Sequence, residues 1–151
     1  MPAITKILCP IDFSKHSHIA LEHAESIASK FGAELIVAHI VEPVLYPVAY
    51  GLPPVAPVNY EENAKESATK ALAPLVEAVA GRGVNCRSLV DSGTASMRIC
   101  DIAGEEGVSM VVLATHGYTG IRHVLLGSTA ERVVRKCPCP VLSVKAAEEN
   151  E

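Results

Sequence analysis

The chain has no tryptophan, two phenylalanines and four tyrosines, so aromatics make up only 4% of its 151 residues. That argues against an aromatic-cored sandwich. With a hydrophobic content of 49%, the core must be built from Val, Ile, Leu and Ala, the material of short buried strands and alanine-rich helices. No basic run occurs and the net charge is -4, which argues against a nucleic-acid binder that neutralises phosphates over a broad face. No apolar stretch approaches the ~18 residues of a membrane span. The apolar run from Ile7 stops at Asp12, too short for the hydrophobic region of a secretion signal. The five cysteines include no Cys-x-x-Cys pair, so free thiols in a reducing, cytoplasmic setting are expected. Cys137 and Cys139 read as small residues leading into a strand.

Several chemical signatures are also missing. There is no Walker A motif, because Gly127 is followed by Ser128 and Thr129 rather than lysine, and there is no Gly-x-Gly-x-x-Gly fingerprint. A Gly-x-Ser-x-Gly nucleophile elbow is absent. The six histidines form no His-Glu-x-x-His signature. His16 and His18 fall on different sides of a helix, and His23 reads as a packed core residue. No dedicated metal site is expected, and no catalytic triad can be assembled.

What is present is an alternation. Strand-like runs at Ile4–Pro10, Glu34–Val41, Val84–Val90, Ser109–Thr115 and Pro140–Lys145 alternate with helix-like runs at Lys15–Phe31, Tyr60–Ala80, 94–106 and Ser128–Lys136. In the first helix Ile19, Ala20, His23, Ala24, Ile27, Ala28 and Phe31 recur at helical period, and Gly32 stops it. Thr94 or Ser96 can cap the third. Pro74 lies inside the second, where it should kink or split the helix. Between Glu42 and Val58 stand five prolines, marking a long loop.

Such alternation predicts an α/β fold: an open five-stranded parallel sheet, Rossmann-like, with helices on both faces. The strand order is either 3-2-1-4-5 or 2-1-3-4-5. The weakly apolar third strand suits an edge and favours 3-2-1-4-5. Strands one and four then adjoin where the chain reverses direction, and ligands of open sheets bind at such a switch. Cys9 to Asp12 and Ala114 to Gly117 would lie there.

The stretch from Ala114 to Val134 is a glycine-bearing loop that feeds a helix. Its amides and the helix dipole suit a phosphate. Ser128-Thr129-Ala130-Glu131 also reads as a capping box, stabilising by about 1 kcal/mol with no ligand. Spacing alone leaves both readings open.

Taken together, "KILCPIDFS", "AHIVEP", "DSG" and "ATHGYTGIRHVLLGSTAERVVRKCPCPVLSVK" resemble the universal stress protein family over essentially the whole chain. Members that bind ATP are similar in carrying Gly-x2-Gly-x9-Gly-Ser/Thr. Here Gly117, Gly127 and Ser128 match, but Ala114 stands where the first glycine would be. If that position needs a positive φ, alanine costs roughly 1–2 kcal/mol; if it is extended, the cost is only a methyl group.

The resemblance implies a regulatory stress-response protein that binds ATP or AMP, with or without Mg²⁺, at the switch point. The implied binding residues are Pro10, Ile11, Asp12, Ile40, Ala114, Gly117, Gly127, Ser128 and Thr129. Asp12 would meet the ribose or a phosphate-bound metal ion; read without the resemblance it is an N-cap or Asx turn, and the two roles are compatible. Ile40 would act through its backbone on adenine. Arg122, His116 or Mg²⁺ would offset the phosphate charge. At most slow ATP hydrolysis is implied, and the Pro-rich loop would be a lid. A homodimer through Val141–Lys145 is also implied, as a single domain over residues 1–147 with a disordered acidic tail at 148–151. The alternative is a dimeric interaction scaffold of the same family that binds no nucleotide. A related adenine-nucleotide hydrolase would carry Ser-Gly-Gly-x-Asp-Ser, which is absent.

Overall fold

A computed structural model describes residues 2–46, 49–117 and 125–147. The elements run β1 (Lys6–Pro10), α1 (Lys15–Phe31), β2 (Glu34–Val41), α2 (Tyr60–Gly81), β3 (Cys86–Ser92), α3 (Ala95–Glu105), β4 (Met110–Ala114), α4 (Ser128–Lys136) and β5 (Val141–Val144). All strand pairs are parallel, in the order β3-β2-β1-β4-β5. This is the expected α/β fold with the expected order.

The sheet is buried on both faces because its strands alternate between two cores. Ile7 and Cys9 of β1, Leu35 and Val37 of β2, and Val112 of β4 face a cluster built with α1 and α2. Leu8, Ile36, Ala38, Val111 and Leu113 face the other, built with Ile99 and Ile102 of α3 and Ala130 and Val133 of α4. Period-two alternation of apolar residues on both sides is what a covered parallel sheet requires.

Helix α1 ends at Gly32, whose φ of 65° is the left-handed geometry glycine adopts without a Cβ penalty. Its buried stripe is Ser17, Ala20, Leu21, Ala24 and Ala28, rotated from the predicted one. His23 is exposed rather than packed, and Phe31 is 54% exposed at the helix's last turn. Small side chains on the true stripe let the helix sit close to β1 and β4, and the bulky Phe31 is left outside.

Two further expectations change. No Thr94 or Ser96 side chain caps α3; instead Glu42, one residue past β2, accepts the Ala95 amide at 3.0 Å. Helix α2 runs unbroken across Pro74. Both Pro74 and Lys70, whose carbonyl loses its partner, are exposed, so water can take the place of the missing N–H. The Pro74 ring then disturbs no packing, and only the lost hydrogen bond and local strain remain. Replacing Pro74 with alanine restores that bond and is expected to raise stability by about 1–3 kcal/mol. Chemical denaturation of the two proteins measures it.

Candidate functional site

Beyond the carboxyl ends of β1, β2 and β4 lies a cleft of about 780 Å³. All nine residues singled out from the sequence line it: Pro10, Ile11, Asp12, Ile40, Ala114, Gly117, Gly127, Ser128 and Thr129. The fold brings them together because β1 and β4 are neighbours and their following loops turn to opposite faces.

The first wall is the loop from β1 to α1. The Ile11 amide still bonds the Ala38 carbonyl at 2.8 Å, extending the β2 pairing one residue past the strand. His39 Nδ1 lies 2.8 Å from the Ile11 carbonyl. A carbonyl only accepts, so Nδ1 carries the proton. Asp12 Oδ1 accepts the Ser14 amide at 2.9 Å, and Ser14 is the N-cap of α1, taking the Ser17 amide on its hydroxyl. Of the two structural roles weighed for Asp12, the structure therefore assigns it the Asx turn, and the cap belongs to Ser14. Between them Phe13 stands at φ 64°, a strained geometry for a bulky side chain. Its ring lies 4.8 Å from that of His39. His39 thus holds the loop from both sides.

The second wall is the start of α4, where the capping box does not form. Gly127 is the N-cap, in extended geometry, and Ser128 is already the first helical residue, with no side-chain cap bond. Glu131 pairs with Arg135 one turn on instead of reaching back. Among the described residues no side chain caps the start of the helix, and a helix N-terminus with uncapped amides is able to receive an anion.

At both described glycines of the loop a Cβ would be limited by space rather than by φ. A Cβ on Gly127 would meet the Thr115 carbonyl oxygen at 2.9 Å, the group that accepts the Gly127 amide at 2.7 Å. A Cβ on Gly117 would fall on Asp12 Oδ2. Ala114, by contrast, is the last residue of β4 and pairs with Val144. Positive φ among described non-glycine residues occurs only at Phe13 and Asn59, so Ala114 is unstrained and adds only a methyl group to the cleft.

Outside the cleft, Gly93 at φ 132° turns the chain out of β3, and its amide bonds the Val41 carbonyl. Arg98 folds back against Gly93 to reach Asp91 at 2.5 Å. The Arg98 guanidinium holds the Asp91 carboxyl below its ordinary range, helped by the Ser92 amide. His39, Ser17 and Tyr60 also line the cleft and were missed as site residues. The placement of His39 at the carboxyl end of β2, one residue before Ile40, was the available signal. Gly120, Arg122 and His123 lie outside the described residues, as does the tail at 148–151. Among the described residues no group of three His, Cys, Asp or Glu side chains is placed to hold a metal ion.

The profile of the universal stress protein family matches residues 3–145. The chain belongs to the universal stress protein family. Universal stress protein MJ0531 of Methanocaldococcus jannaschii is 34% identical over 148 residues, covering 96% of this chain and 84% of that protein. Universal stress protein UspA from Lactobacillus plantarum superposes with a TM-score of 0.80 at 24% identity, covering 95% of this chain and 99% of the other. Two further universal stress proteins share the fold. One, from Archaeoglobus fulgidus, is in complex with dAMP (TM-score 0.65, 19% identity, 95% and 98% covered). The other is in complex with cAMP (TM-score 0.67, 21% identity, 95% and 98% covered).

The two described glycines of this universal stress protein's loop should respond differently to substitution. Gly127→Ala presses on a backbone carbonyl that cannot swing away, and is expected to cost about 1–3 kcal/mol in chemical denaturation. Gly117→Ala meets only the end of the Asp12 side chain, and its cost should stay below about 1 kcal/mol.

Proposed function

We propose that the cleft binds an adenine nucleotide, ATP or AMP, and that the chain acts as a cytoplasmic regulatory protein of the stress response. The observation that carries this reading is the start of α4, which opens into the cleft beside Asp12 with, among the described residues, no side chain capping it. The phosphates would lie against the Gly127, Ser128 and Thr129 amides. Asp12 would face the ribose or a phosphate-bound Mg²⁺. The adenine would lie along Ile40 and Val41, the end of the cleft that Tyr60 closes. Complexes of two family members with adenine nucleotides support the ligand class. The extended geometry of Ala114 removes the one sequence feature that spoke against binding.

The scaffold reading keeps one observation in its favour. Leu45, Tyr46, Tyr50, Leu52, Val55 and Val58 of the Pro-rich loop are each at least half exposed, and an antiparallel bridge between Tyr46 and Val55 ties the loop together. Nucleotide content separates the two. Acid extraction of the purified protein, or calorimetric titration with ATP and Mg²⁺, is expected to reveal one nucleotide per chain. Asp12→Ala should weaken binding about tenfold, the worth of one hydrogen bond to a charged group. Ala114→Gly should change it by less than about fivefold, the worth of one methyl. A protein that stays empty in millimolar ATP favours the scaffold.

We further propose a homodimer through β5. This strand is the sheet edge beside β4, and Leu142 on it is 38% exposed; an open edge of this kind invites pairing with a second copy. Sedimentation at micromolar concentration should give a dimer, and Leu142→Asp a monomer.

A further inference from the structure

Three of the five cysteines, separated in sequence, meet on the face of the sheet away from α1 and α2. Cys100 lies in α3, Cys137 directly follows α4, and Cys139 precedes β5. All three are free, half-buried and packed on the core shared by α3 and α4. The turn that carries Cys137 and Cys139 sits on α3: the Pro138 ring comes within 3.9 Å of where a Gly104 side chain would begin. Cys100 is one helical turn before Gly104, on the same face. Cys137 lies near enough to Cys100 and Cys139 for the three thiols to perturb one another. Nothing in the cleft uses these groups, and among the described residues no set of donors is placed for a metal ion. The chemistry available to the cluster is therefore between its sulfurs.

We propose that Cys100, Cys137 and Cys139 form an oxidant-responsive thiol centre in which a hydroperoxide converts Cys100 and Cys137 into an intramolecular disulfide. Cys137 is the resolving thiol, and the first attack is made by Cys100. Its thiolate, the proton having gone to solvent, takes one peroxide oxygen as the O–O bond breaks. A sulfenic acid forms, and the departing hydroxide becomes water. Cys137 sulfur then attacks the Cys100 sulfur, the S–S bond forms, and the sulfenic oxygen leaves with the Cys137 proton as a second water. Two thiols and one peroxide give one disulfide and two waters; the sulfurs lose two electrons and the peroxide gains them. Cys137 and Cys139 are not the bridged pair. A single proline of fixed φ separates them, and the small ring they would close cannot reach the favoured S–S torsion. The bridge would tie α3 to the carboxyl end of α4, the helix whose other end forms a wall of the cleft.

The test is hydrogen peroxide treatment of the full-length protein, followed by intact mass and non-reducing peptide mapping. The expected product is a monomeric chain that has lost two hydrogens, with the Cys100 and Cys137 peptides joined and released by dithiothreitol. Cys139→Ser should still form it, and Cys100→Ser and Cys137→Ser should not. The wild-type map decides the matter even where a variant folds poorly. A bridge through Cys139, Cys9 or Cys86, cross-links only between chains, separate conversion of the thiols to sulfinic acids, or no reaction would each overturn the proposal.

Discussion

The pairing of β1 with β4 is the constraint on which the rest of the molecule depends. It is short: Ile7 stands opposite Met110 and Leu8 opposite Val111, and there the ladder stops. Ser109 fastens its beginning, with its hydroxyl taking the Thr5 amide and its own amide bonding the Lys6 carbonyl. Past Leu8 the two strands part, β1 staying with β2 through Pro10 and β4 with β5 through Ala114. The chain then goes to α1 on one face and toward α4 on the other. An open sheet that divides in this way leaves a crevice at its centre, and the cleft is that crevice.

The opposite end of the sheet is held by charge. Lys6, Glu34, Arg87 and Glu106 form a connected set of ion pairs from β1, β2, β3 and the end of α3. The Arg87 guanidinium keeps the Glu34 carboxyl below its ordinary range, with Lys6 adding to it. Each group keeps some contact with water, so every single pair contributes modestly. Their value is geometric, because they register three strands and a helix at the amino end of the sheet. The carboxyl end is thus left to be shaped by its loops, with Glu42 spent on α3 and Arg98 on Asp91.

Much of this was legible in the sequence. Three elements, α1, β2 and α4, have the bounds their periodicity indicates, and the weak apolar pattern of β3 was enough to place it at an edge. The switch point follows from that order, and with it the neighbourhood of Asp12 and Gly117. What could not be read were effects of the third dimension on single residues. Ser128 and Glu131 have capping-box spacing, yet Gly127, its amide held by the Thr115 carbonyl, takes the N-cap position and Ser128 is already helical. Glu42 caps α3 from a distant strand, which no local rule predicts. Whether Ala114 is strained depended on where β4 ends, and pattern reading fixes such ends least well. The buried stripe of α1 was misjudged because Ser17 counts as polar, although its hydroxyl finds the Ser14 carbonyl at 2.9 Å and so can be buried.

The distribution of tyrosine has a practical consequence for spectroscopy. With no tryptophan in the chain, its near-ultraviolet emission comes from Tyr46, Tyr50, Tyr60 and Tyr118 alone. The first two stand on the exposed Pro-rich loop, and Tyr60 opens α2 at the edge of the cleft. Neither core cluster contains one. Emission from Tyr46, Tyr50 and Tyr60 therefore reports on the Pro-rich loop and the edge of the cleft and hardly at all on the sheet, a built-in optical probe that is nearly blind to the packing beneath it.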